Sequence, residues 1–465
     1  MDICYLDAKA VYTLFKLSGK KHLFITGERG SGKSHLLNNI LNYIPYASAT
    51  TDILYSPDIS YQSGVSSSSS MSDFFNLSPD YLSMHSINYL QSYRTDKPNV
   101  VIRSNLIDNN KEFVIGTPSI RPGTSGSNLL SVRASNKRGN NMTIVEDGFI
   151  NCAIPAINNH LLTSPDDLFV IDELGYIESS CSPFQTAVET LLDNSCVIAV
   201  IRRQSTSFLD RIKNRADVLT IDIDNIFSPL ACIIMASGIS KRYGSNKLLA
   251  DFNSHTLFEN AVNISRFADF GETLAITRHD TIKNICRREH IQCLKHDLPY
   301  RNEAIHLGVA HILEKEYIPD NIYTSVNTYN SEIAAKSQHP QGILFLPSDQ
   351  PLITKTSLQL LCLSFIYGNK LRNKDNSYII ADNNNNKNNK SDRIYRLSFN
   401  ETPGSPIIFP ARYYNELLNL PEGRGGSFIA KKHPGQVVLV PARDEYELYD
   451  IDTADDLNRL SQYLN

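Results

Sequence analysis

The chain has 465 residues, which is long for one hydrophobic core, so we predict two or three domains and begin with two. Hydrophobic residues make up 41% and charged residues 20%, a balance that excludes a largely disordered chain. The 45 basic and 49 acidic residues give a formal charge of −4, which gives no support for a nucleic-acid partner and leaves small anionic substrates open.

Cysteine usage and the N-terminal sequence bear on the cellular compartment. The eight cysteines form no C-x-x-C pair, and several lie in apolar runs, which predicts buried, reduced thiols. The opening MDICYLDAKAVY has no basic segment followed by a long apolar stretch, and no window reaches the roughly 18 apolar residues of a spanning helix. We therefore predict a cytoplasmic protein with no membrane partner.

The first readable elements form a strand, a loop and a helix. Residues 22–26 (HLFIT) are a short apolar strand, residues 27–34 (GERGSGKS) a glycine-rich turn, and a helical pattern begins at Ser34. Residues 45–140 are rich in Ser, Asn and Tyr, and their pattern predicts no clear helix or strand. Further on, the apolar runs 168–171 and 196–201 flank an amphipathic stretch, a pattern that predicts parallel strands joined by helices.

The glycine-rich turn satisfies G-x-x-x-x-G-K-S/T in the strand-to-helix context that this phosphate-binding loop requires. Backbone amides of the loop would cradle phosphates at a helix N-terminus. Lys33 would reach the terminal phosphates and Ser34 would hold Mg²⁺. The alternative is a glycine-rich turn with a chance lysine. The nucleotide-binding residues predicted here are Gly27, Gly30, Gly32, Lys33 and Ser34.

A second carboxylate for the metal follows the apolar run 168–171. Asp172 is predicted to bind Mg²⁺, and Glu173 to orient or deprotonate the attacking water. Taken alone, an apolar run ending in two acids is commonly a strand that meets a polar turn. Its combination with the phosphate loop favours the catalytic interpretation.

This half resembles a known family at specific residues. Residues 172–178 (DELGYIE) match the Asp-Glu-x-Gly-x-x-Glu motif of the small nucleoside-triphosphatases first known from thermophiles, and residues 199–203 and 208–215 resemble later segments of that family. The resemblance implies that Glu178 and one of Arg202 or Arg203 face the nucleotide. For the arginines, a solvated helix start is the alternative.

The pattern breaks at residues 222–229, where we place a domain boundary near residue 227, giving domains 1–226 and 227–465. A new strand, 231–235, then enters a second glycine-containing loop, and apolar runs 273–277, 343–346 and 437–440 continue the alternation of strands and helices. Both halves are therefore predicted to be α/β.

The second loop has residues suited to a triphosphate. Small residues let backbone amides approach phosphates, and basic residues neutralise them. Arg242 and Lys247 are predicted catalytic residues, and the predicted nucleotide-binding residues are Ala236, Ser237, Gly238 and Gly244. The alternative is an ordinary surface turn.

A second carboxylate also follows a buried strand in this half. In residues 342–352 (GILFLPSDQPL), Asp349 is predicted to be catalytic and to coordinate Mg²⁺ that bridges the phosphates. An isolated Asp-x-Pro is usually a turn, with the aspartate capping the next helix. Its pairing with the preceding loop favours metal binding.

The order of residues 235–247 resembles the Leu-Ala-Ala/Gly-Gly-x-Ser-x-Arg-Met-Gly-x-x-Lys signature of MobA-like nucleotidyltransferases, with Ser237 and Tyr243 as departures. Residues 404–409, 422–426 and 450–457 match the family in order. The resemblance implies a P-loop NTPase domain followed by a Rossmann-like nucleotidyltransferase domain. The S-D-Q-P and G-x-P-x-x-F segments look closest to the cytidylyltransferases that act on molybdenum cofactor. Asp452 is a candidate second metal ligand or, equally, an acidic cap of the last helix.

The resemblance implies Mg²⁺-dependent transfer of CMP from CTP to molybdopterin cofactor in the C-terminal half, and hydrolysis of ATP or GTP in the N-terminal half. One alternative is transfer of a nucleotide to another phosphorylated substrate. Another is a maturation factor or cofactor carrier that uses NTP hydrolysis to serve a molybdenum hydroxylase apo-enzyme, without nucleotidyl transfer.

Overall fold

In the computed structural model, the described residues are 6–48, 87–95, 99–118, 133–134, 142–238, 242–314, 339–368 and 393–463. The chain divides into two compact units. The first comprises Lys20–Asp224, and the second combines Asn225–Asn465 with Met1–Gly19. The second unit contains the first helix, α1 (Ala8–Ser18).

The position of α1 differs from the expected division, which put residues 1–226 in one domain. Asp7 caps this helix by accepting a hydrogen bond from the Ala10 amide (2.9 Å), and the apolar residues Ala10, Val11, Leu14 and Phe15 are buried. Their partner is a helix of the C-terminal unit, whose Gln359 side-chain oxygen accepts a hydrogen bond from the Asp7 amide (2.7 Å). The place of α1 in the sequence suggested that it belongs to the N-terminal unit. Burial of its apolar face assigns it to the C-terminal unit instead.

The N-terminal unit is built on a nine-stranded sheet in the order β5-β6-β4-β3-β2-β7-β8-β1-β9. Its strands are β1 (His22–Gly27), β2 (Asn88–Arg94), β3 (Val100–Ser104), β4 (Phe113–Pro118), β5 (Arg133–Ala134), β6 (Met142–Ile144), β7 (Leu168–Leu174), β8 (Cys196–Arg202) and β9 (Val218–Asp222). Its helices include α2 (Lys33–Ser48), α3 (Ile154–Thr163), α4 (Ser182–Asn194) and α5 (Ser207–Lys213).

Strands β2, β7, β8, β1 and β9 are parallel, so their carboxyl ends share one edge of the sheet. All six residues of β1 are buried, because it pairs with β8 on one side and β9 on the other. Beyond β2 the sheet continues with antiparallel pairings through β3, β4, β6 and β5. Strands β2–β5 lie within residues 45–140, which the sequence left unassigned. Aromatic residues such as Phe169 and Phe184 fill the core beside this sheet.

The C-terminal unit has a seven-stranded sheet in the order β14-β13-β10-β15-β17-β16-β18 and a two-stranded hairpin, β11-β12. The strands are β10 (Leu230–Ala236), β11 (Asp251–Phe252), β12 (His255–Thr256), β13 (Glu272–Thr277), β14 (Gln292–Lys295), β15 (Gly342–Pro347), β16 (Ile394–Phe399), β17 (Thr402–Pro410) and β18 (Val437–Pro441). Further helices are α6 (Leu257–Ser265), α7 (Asp280–Arg288), α8 (Arg301–Glu314), α9 (Lys355–Tyr367), α10 (Tyr414–Leu418), α11 (Ser427–Lys432) and α12 (Ala454–Tyr463).

Strands β14, β13, β10 and β15 are parallel, and β10 lies between β13 and β15. The chain runs from β10 outward to β13 and β14 and then returns to the other side of β10 as β15. Ligands of open α/β sheets bind at such a reversal, outside the carboxyl ends of the strands. Both predicted active loops of this unit leave from that edge. The α/β prediction is confirmed for both halves.

The described cysteines are free, and all but Cys196 are buried, as the sequence predicted; Cys4 lies outside the described residues. Among the helices of the described residues, none combines the length and apolar character needed to cross a membrane.

Candidate functional sites

The glycine-rich turn of the N-terminal unit joins the buried strand β1 to α2. Gly30 and Gly32 have φ of 82° and 91°, a left-handed conformation that favours glycine. A β-carbon at Gly27 would lie 2.8 Å from Ser31 Oγ and 2.9 Å from Ile223 Cγ1. Backbone conformation and close approach therefore account for glycine at these three positions.

Lys33 is buried and its ammonium group turns back onto the loop. Nζ donates to the carbonyl oxygens of Gly27 (3.0 Å) and Glu28 (2.7 Å). These carbonyls supply the hydrogen bonds that a buried ammonium group requires. A phosphate at this loop would offer Nζ a charged acceptor in their place.

Ser34, at the start of α2, and Asp172, in β7, come together although 138 positions separate them. The Ser34 hydroxyl donates to Asp172 Oδ1 (3.0 Å). Burial raises the pKa of the Asp172 carboxyl to about 6, and the hydrogen bond from Ser34 only partly opposes this effect. The pair provides two neighbouring oxygen donors, the ligand type that Mg²⁺ prefers.

The carboxylate of Glu173, the residue after Asp172, is paired with an arginine. Arg202 Nε and Nη2 donate to its two carboxylate oxygens at 2.6 and 3.1 Å. Burial alone would lower the pKa of Arg202, but the bonds to Glu173 leave it raised. Glu178 is buried nearby and accepts a hydrogen bond from the Gly175 amide (2.9 Å), and burial raises its pKa.

The two candidate arginines therefore have different surroundings. Arg202 pairs with the acidic motif, whereas Arg203 hydrogen-bonds Asp222 and lies 3.5 Å from Asp224 Oδ2 and 3.7 Å from Glu28 Oε1. Arg202 is thus the arginine that contacts the predicted water-orienting group.

In the C-terminal unit, Lys247 is the centre of an ion-pair cluster. Its buried Nζ donates to Asp349 Oδ2 (2.8 Å), Asp452 Oδ1 (3.0 Å) and the Ile451 carbonyl (2.6 Å), which uses all three protons. Burial would lower the pKa of Lys247, but the attraction of Asp349 and Asp452 more than offsets it and the pKa is raised. Lys247 is therefore charged at neutral pH.

Arg242 lies at the exposed side of the same cluster, with Nη1 2.8 Å from Asp452 Oδ2. Asp452 thus bridges the two predicted catalytic cations. It does not cap the last helix, because Thr453 accepts a hydrogen bond from the Asp456 amide (3.1 Å) and Asp456 accepts one from the Thr453 amide (2.9 Å).

The remaining loop residues follow β10 directly. Ala236 ends the strand, Gly238 is exposed with open space around its α-carbon, and Gly244 has a left-handed φ of 78°. Residues 239–241 lie outside the described residues.

Several polar side chains near this loop were not predicted. The Thr277 hydroxyl donates to the Ala236 carbonyl (3.0 Å), His279 Nε2 lies 3.2 Å from the Gly238 carbonyl, and His296 Nε2 lies 2.8 Å from Ser237 Oγ. The only sequence signal was that these residues follow apolar strand runs, because no spacing connects them to the loop. They fix the backbone where it leaves β10.

Within the described ranges, no group of three or more His, Cys, Asp or Glu side chains is arranged to hold a metal ion. Mg²⁺ is usually held by one or two carboxylates together with substrate phosphates. Asp349 and Asp452 already face a single cation, the Lys247 ammonium group, so their donor set fits such an ion. Ser34 and Asp172 bring a hydroxyl and a carboxylate oxygen within 3.0 Å of each other, and this donor set also fits Mg²⁺.

Comparisons with known proteins follow the division between the two units. Residues 232–437 match a family model described as the MobA-like NTP transferase domain, and residues 121–226 match one described as NTPase. The nucleoside-triphosphatase THEP1 of Thermotoga sp. (strain RQ2) is 37% identical over 59 residues, which is 12% of this chain and 34% of that protein. The chain therefore spans about a third of the length of this relative.

Among solved structures, Rv0371c from Mycobacterium tuberculosis H37Rv has a TM-score of 0.37 at 15% identity, covering 50% of this chain and 98% of its own. Molybdopterin-guanine dinucleotide biosynthesis protein A from Archaeoglobus fulgidus gives 0.32 at 13% identity, covering 50% and 98%. THEP1 from Aquifex aeolicus gives 0.28 at 14%, covering 43% and 89%.

Both resemblances predicted from the sequence are confirmed by the family models. The N-terminal half is similar to THEP1-like nucleoside-triphosphatases, and the C-terminal half is similar to MobA-like nucleotidyltransferases.

Proposed function

We propose that the C-terminal unit transfers CMP from CTP to the phosphate of molybdopterin cofactor with release of pyrophosphate, and that the N-terminal unit hydrolyses ATP or GTP. The observation that carries the first part is the cluster in which Lys247 contacts both Asp349 and Asp452. It places two carboxylates and a charged lysine at the edge of the sheet where α/β proteins bind nucleotides.

In the proposed transfer, Arg242 and Lys247 bind the phosphates of CTP and straighten the triphosphate. Mg²⁺ held by Asp349 would offset negative charge on the α-phosphate. A terminal phosphate oxygen of the acceptor attacks the α-phosphorus in line, the bond from the α-phosphorus to the bridging oxygen breaks, and pyrophosphate leaves with that oxygen. Positioning and charge neutralisation lower the barrier, so no covalent intermediate is required.

Lys247 has to exchange its carboxylate partners for phosphate oxygens during this cycle. Its pKa is raised while it contacts Asp349 and Asp452, so it is charged before the phosphates bind. Asp349 then becomes available to the metal, while Asp452 retains Arg242, 2.8 Å away. The ion pairs therefore hold the charged groups of Lys247 and Arg242 in place before substrate binds. Binding of the phosphates then requires Lys247 to exchange its partners once.

The choice of CTP and of molybdopterin cofactor rests on the resemblance of residues 342–352 and 404–409 to cytidylyltransferases. A molybdenum hydroxylase apo-enzyme is the proposed recipient of the product. Ser237 departs from both the alanine and the glycine found at its position in relatives.

At the N-terminal site, Lys33 and the loop amides are proposed to bind the β- and γ-phosphates, with Ser34 and Asp172 on Mg²⁺. Glu173 would orient the attacking water, and Arg202 fixes the rotamer of Glu173 through its paired hydrogen bonds. Bidentate pairing of this kind restricts both side chains.

The decisive experiment incubates the full chain with each of the four NTPs, Mg²⁺ and molybdopterin cofactor, and identifies both nucleotide products by mass. The expected result is a cytosine dinucleotide of the cofactor and stoichiometric pyrophosphate, with NDP and phosphate produced independently of the acceptor. Bound cofactor that is never modified would contradict nucleotidyl transfer and favour a carrier role.

A further inference from the structure

A row of three polar side chains crosses the sheet of the N-terminal unit at its predicted metal site. Gln91, in β2, pairs in register with Asp172 of the parallel strand β7 on one side and with Arg103 of the antiparallel strand β3 on the other. Directly paired residues place their side chains on the same face of a sheet. Asp172, Gln91 and Arg103 therefore lie side by side, with Gln91 in the middle.

Gln91 is hydrogen-bonded to both of its neighbours in this row. Arg103 Nε and Nη2 lie 3.1 and 2.8 Å from Gln91 Oε1. On its other side, the Gln91 side chain hydrogen-bonds the Asp172 carboxyl. Burial raises the pKa of Asp172, and its hydrogen bonds to Ser34 and Gln91 act in the opposite direction. The Asp172 carboxylate is therefore held by two neutral groups, one from α2 and one from β2.

The chemistry of the three side chains determines the direction of each bond. A guanidinium group only donates, so the oxygen of the Gln91 amide faces Arg103. The amide nitrogen then faces Asp172, and because an ionised carboxylate only accepts, Gln91 Nε2 donates to it. Without Arg103, the amide would be free to rotate by half a turn and to present its oxygen to the carboxylate, which would repel it.

Arg103 is itself held by a second contact. Its guanidinium carbon lies 5.0 Å from the centre of the Tyr93 ring, within the range of a cation–π interaction. Tyr93 lies two positions after Gln91 in β2 and therefore on the same face of the sheet, and its hydroxyl donates to the Glu112 carboxylate. The ring and the amide together restrain the guanidinium group, so Arg103 can fix the orientation of Gln91.

We propose that Gln91 and Arg103 are positioning residues of the N-terminal site: the Gln91 amide, oriented by Arg103, holds the Asp172 carboxylate in the orientation that binds the Mg²⁺ of the nucleotide. Hydrogen bonds that orient a metal ligand commonly change metal affinity or activity about 10- to 100-fold. The inference rests on the proposed nucleotide site and extends it to β2 and β3, two strands that the sequence left unassigned.

The test measures nucleotide binding with and without Mg²⁺, in the absence of turnover. The probe is the fluorescent, non-hydrolysable imido analogue of ATP or GTP, whichever the chain binds more tightly. The full chain carries Lys247→Met, and only binding that is lost on Lys33→Met is assigned to the N-terminal site. The ratio of the affinities with and without Mg²⁺ is the contribution of the metal ion.

Gln91→Leu should lower the contribution of Mg²⁺ about tenfold, whereas the affinity without Mg²⁺, which depends on the loop amides and Lys33, should not change. A substitution that only disturbed the sheet would weaken binding under both conditions. Gln185→Leu is the matched control and should change neither affinity. Gln185 Oε1 likewise accepts from an arginine (Arg211 Nη2, 3.3 Å), but its Nε2 donates to the Ser179 carbonyl (2.7 Å). An unchanged contribution of Mg²⁺ in Gln91→Leu, or an equal loss with and without Mg²⁺, overturns the proposal.

Arg103 is tested through its dependence on Gln91. Arg103→Met should lower the contribution of Mg²⁺ about threefold, because the Gln91 amide remains but is free to rotate. Arg103→Lys, which keeps a donor, should restore most of this loss. A chain with both Arg103→Met and Gln91→Leu should lose no more than Gln91→Leu alone. Losses that multiply in the double variant would show that Arg103 acts independently of Gln91 and would contradict its positioning role.

The result separates this inference from the proposed function. A contribution of Mg²⁺ that depends on Gln91, in a protein that hydrolyses neither ATP nor GTP, leaves the positioning role intact and removes only the reaction. Efficient hydrolysis by a protein in which Gln91→Leu does not change the contribution of Mg²⁺ removes only the positioning role.

Discussion

The two units place the same pair of residue types, a lysine from a glycine-containing loop and an aspartate after a parallel strand, in different electrostatic settings. In the N-terminal unit, Lys33 donates to two loop carbonyls and Asp172 accepts from Ser34. In the C-terminal unit, Lys247 donates directly to Asp349. In the structure, the lysine and the aspartate of the N-terminal site therefore hydrogen-bond to separate neutral groups, whereas those of the C-terminal site form an ion pair.

The difference appears in the charge states of the two sites. Burial raises the pKa of Asp172 to about 6, since a hydroxyl group compensates a buried carboxylate less than a cation does. At Lys247 the carboxylates raise the lysine pKa despite burial. In the proposed function, metal and phosphate add the missing positive and negative charges at the N-terminal site. At the C-terminal site they would instead replace the existing ion pairs of Lys247.

The largest expected effect is that of Asp349→Asn, which leaves Lys247 without its closest carboxylate and removes the proposed metal ligand. Nucleotidyl transfer should fall about 1,000-fold, in the range seen when a preorganised charge is removed, while NTP hydrolysis is unchanged. Pyrophosphate release and NDP formation measure the two activities in one sample. Asp269→Asn, at an exposed acid of the same unit, is the control. Undiminished transfer in Asp349→Asn would exclude this aspartate from the mechanism.

Lys33→Met should produce the reciprocal pattern. Hydrolysis is expected to fall about 100-fold, because the loop loses the charge proposed to bind the terminal phosphates, and transfer should persist. Lys16→Met, at an exposed lysine of α1, controls for loss of charge. If Lys33→Met also abolishes transfer, the two sites are coupled and the comparison between independent sites breaks down.

Hydrolysis at limiting Mg²⁺ should rise about tenfold between pH 5 and 7, with a midpoint near the Asp172 pKa of about 6. Only the deprotonated carboxylate binds the metal. The stability of the protein without Mg²⁺ should change in the opposite direction. Folding raises the pKa of Asp172, so the folded state binds the proton more tightly than the unfolded state. The free energy of unfolding therefore falls as pH rises through 6. A pH series of hydrolysis rates and urea unfolding measures both. Both dependences should disappear in Asp172→Asn, and their persistence there would assign them to another group.

The smallest effects concern the loop glycines. Gly30→Ala should cost about 1 kcal/mol of unfolding free energy, since its φ of 82° is strained for a residue with a β-carbon. Gly238 has open space and no such φ, so Gly238→Ala should be neutral or slightly stabilising. Urea unfolding measures both. Equal costs would contradict the different backbone requirements of the two loops.

The sequence predicted the α/β class and many of its strands because runs such as 168–171 and 196–201 are buried on both faces and read as continuous apolar segments. Strand β2 was missed because only its first three residues are buried. Gln91 of β2 and Arg103 of β3 are partly exposed, and they hydrogen-bond to each other across the sheet. Local periodicity of the sequence does not reveal such a pairing.

The two candidate sites differed in predictability for a related reason. The N-terminal loop is encoded within eight consecutive residues, so its spacing alone identifies it. The Lys247 cluster joins positions 102 and 205 residues apart, and only their order relative to a known family indicated it. His296 carried no signal beyond its place after a strand, because its contact with Ser237 depends on the register of β14 beside β13.

The packing of α1 against α9 has a consequence for biosynthesis. On the ribosome, α1 is made before residues 20–224, and the helix α9 that covers it is made after them. The N-terminal unit can therefore fold while the apolar side chains of Leu14 and Phe15 are still not buried against α9. A fragment that starts at residue 227 would emerge with the matching surface of α9 uncovered, and in a cell it would be a substrate for chaperones.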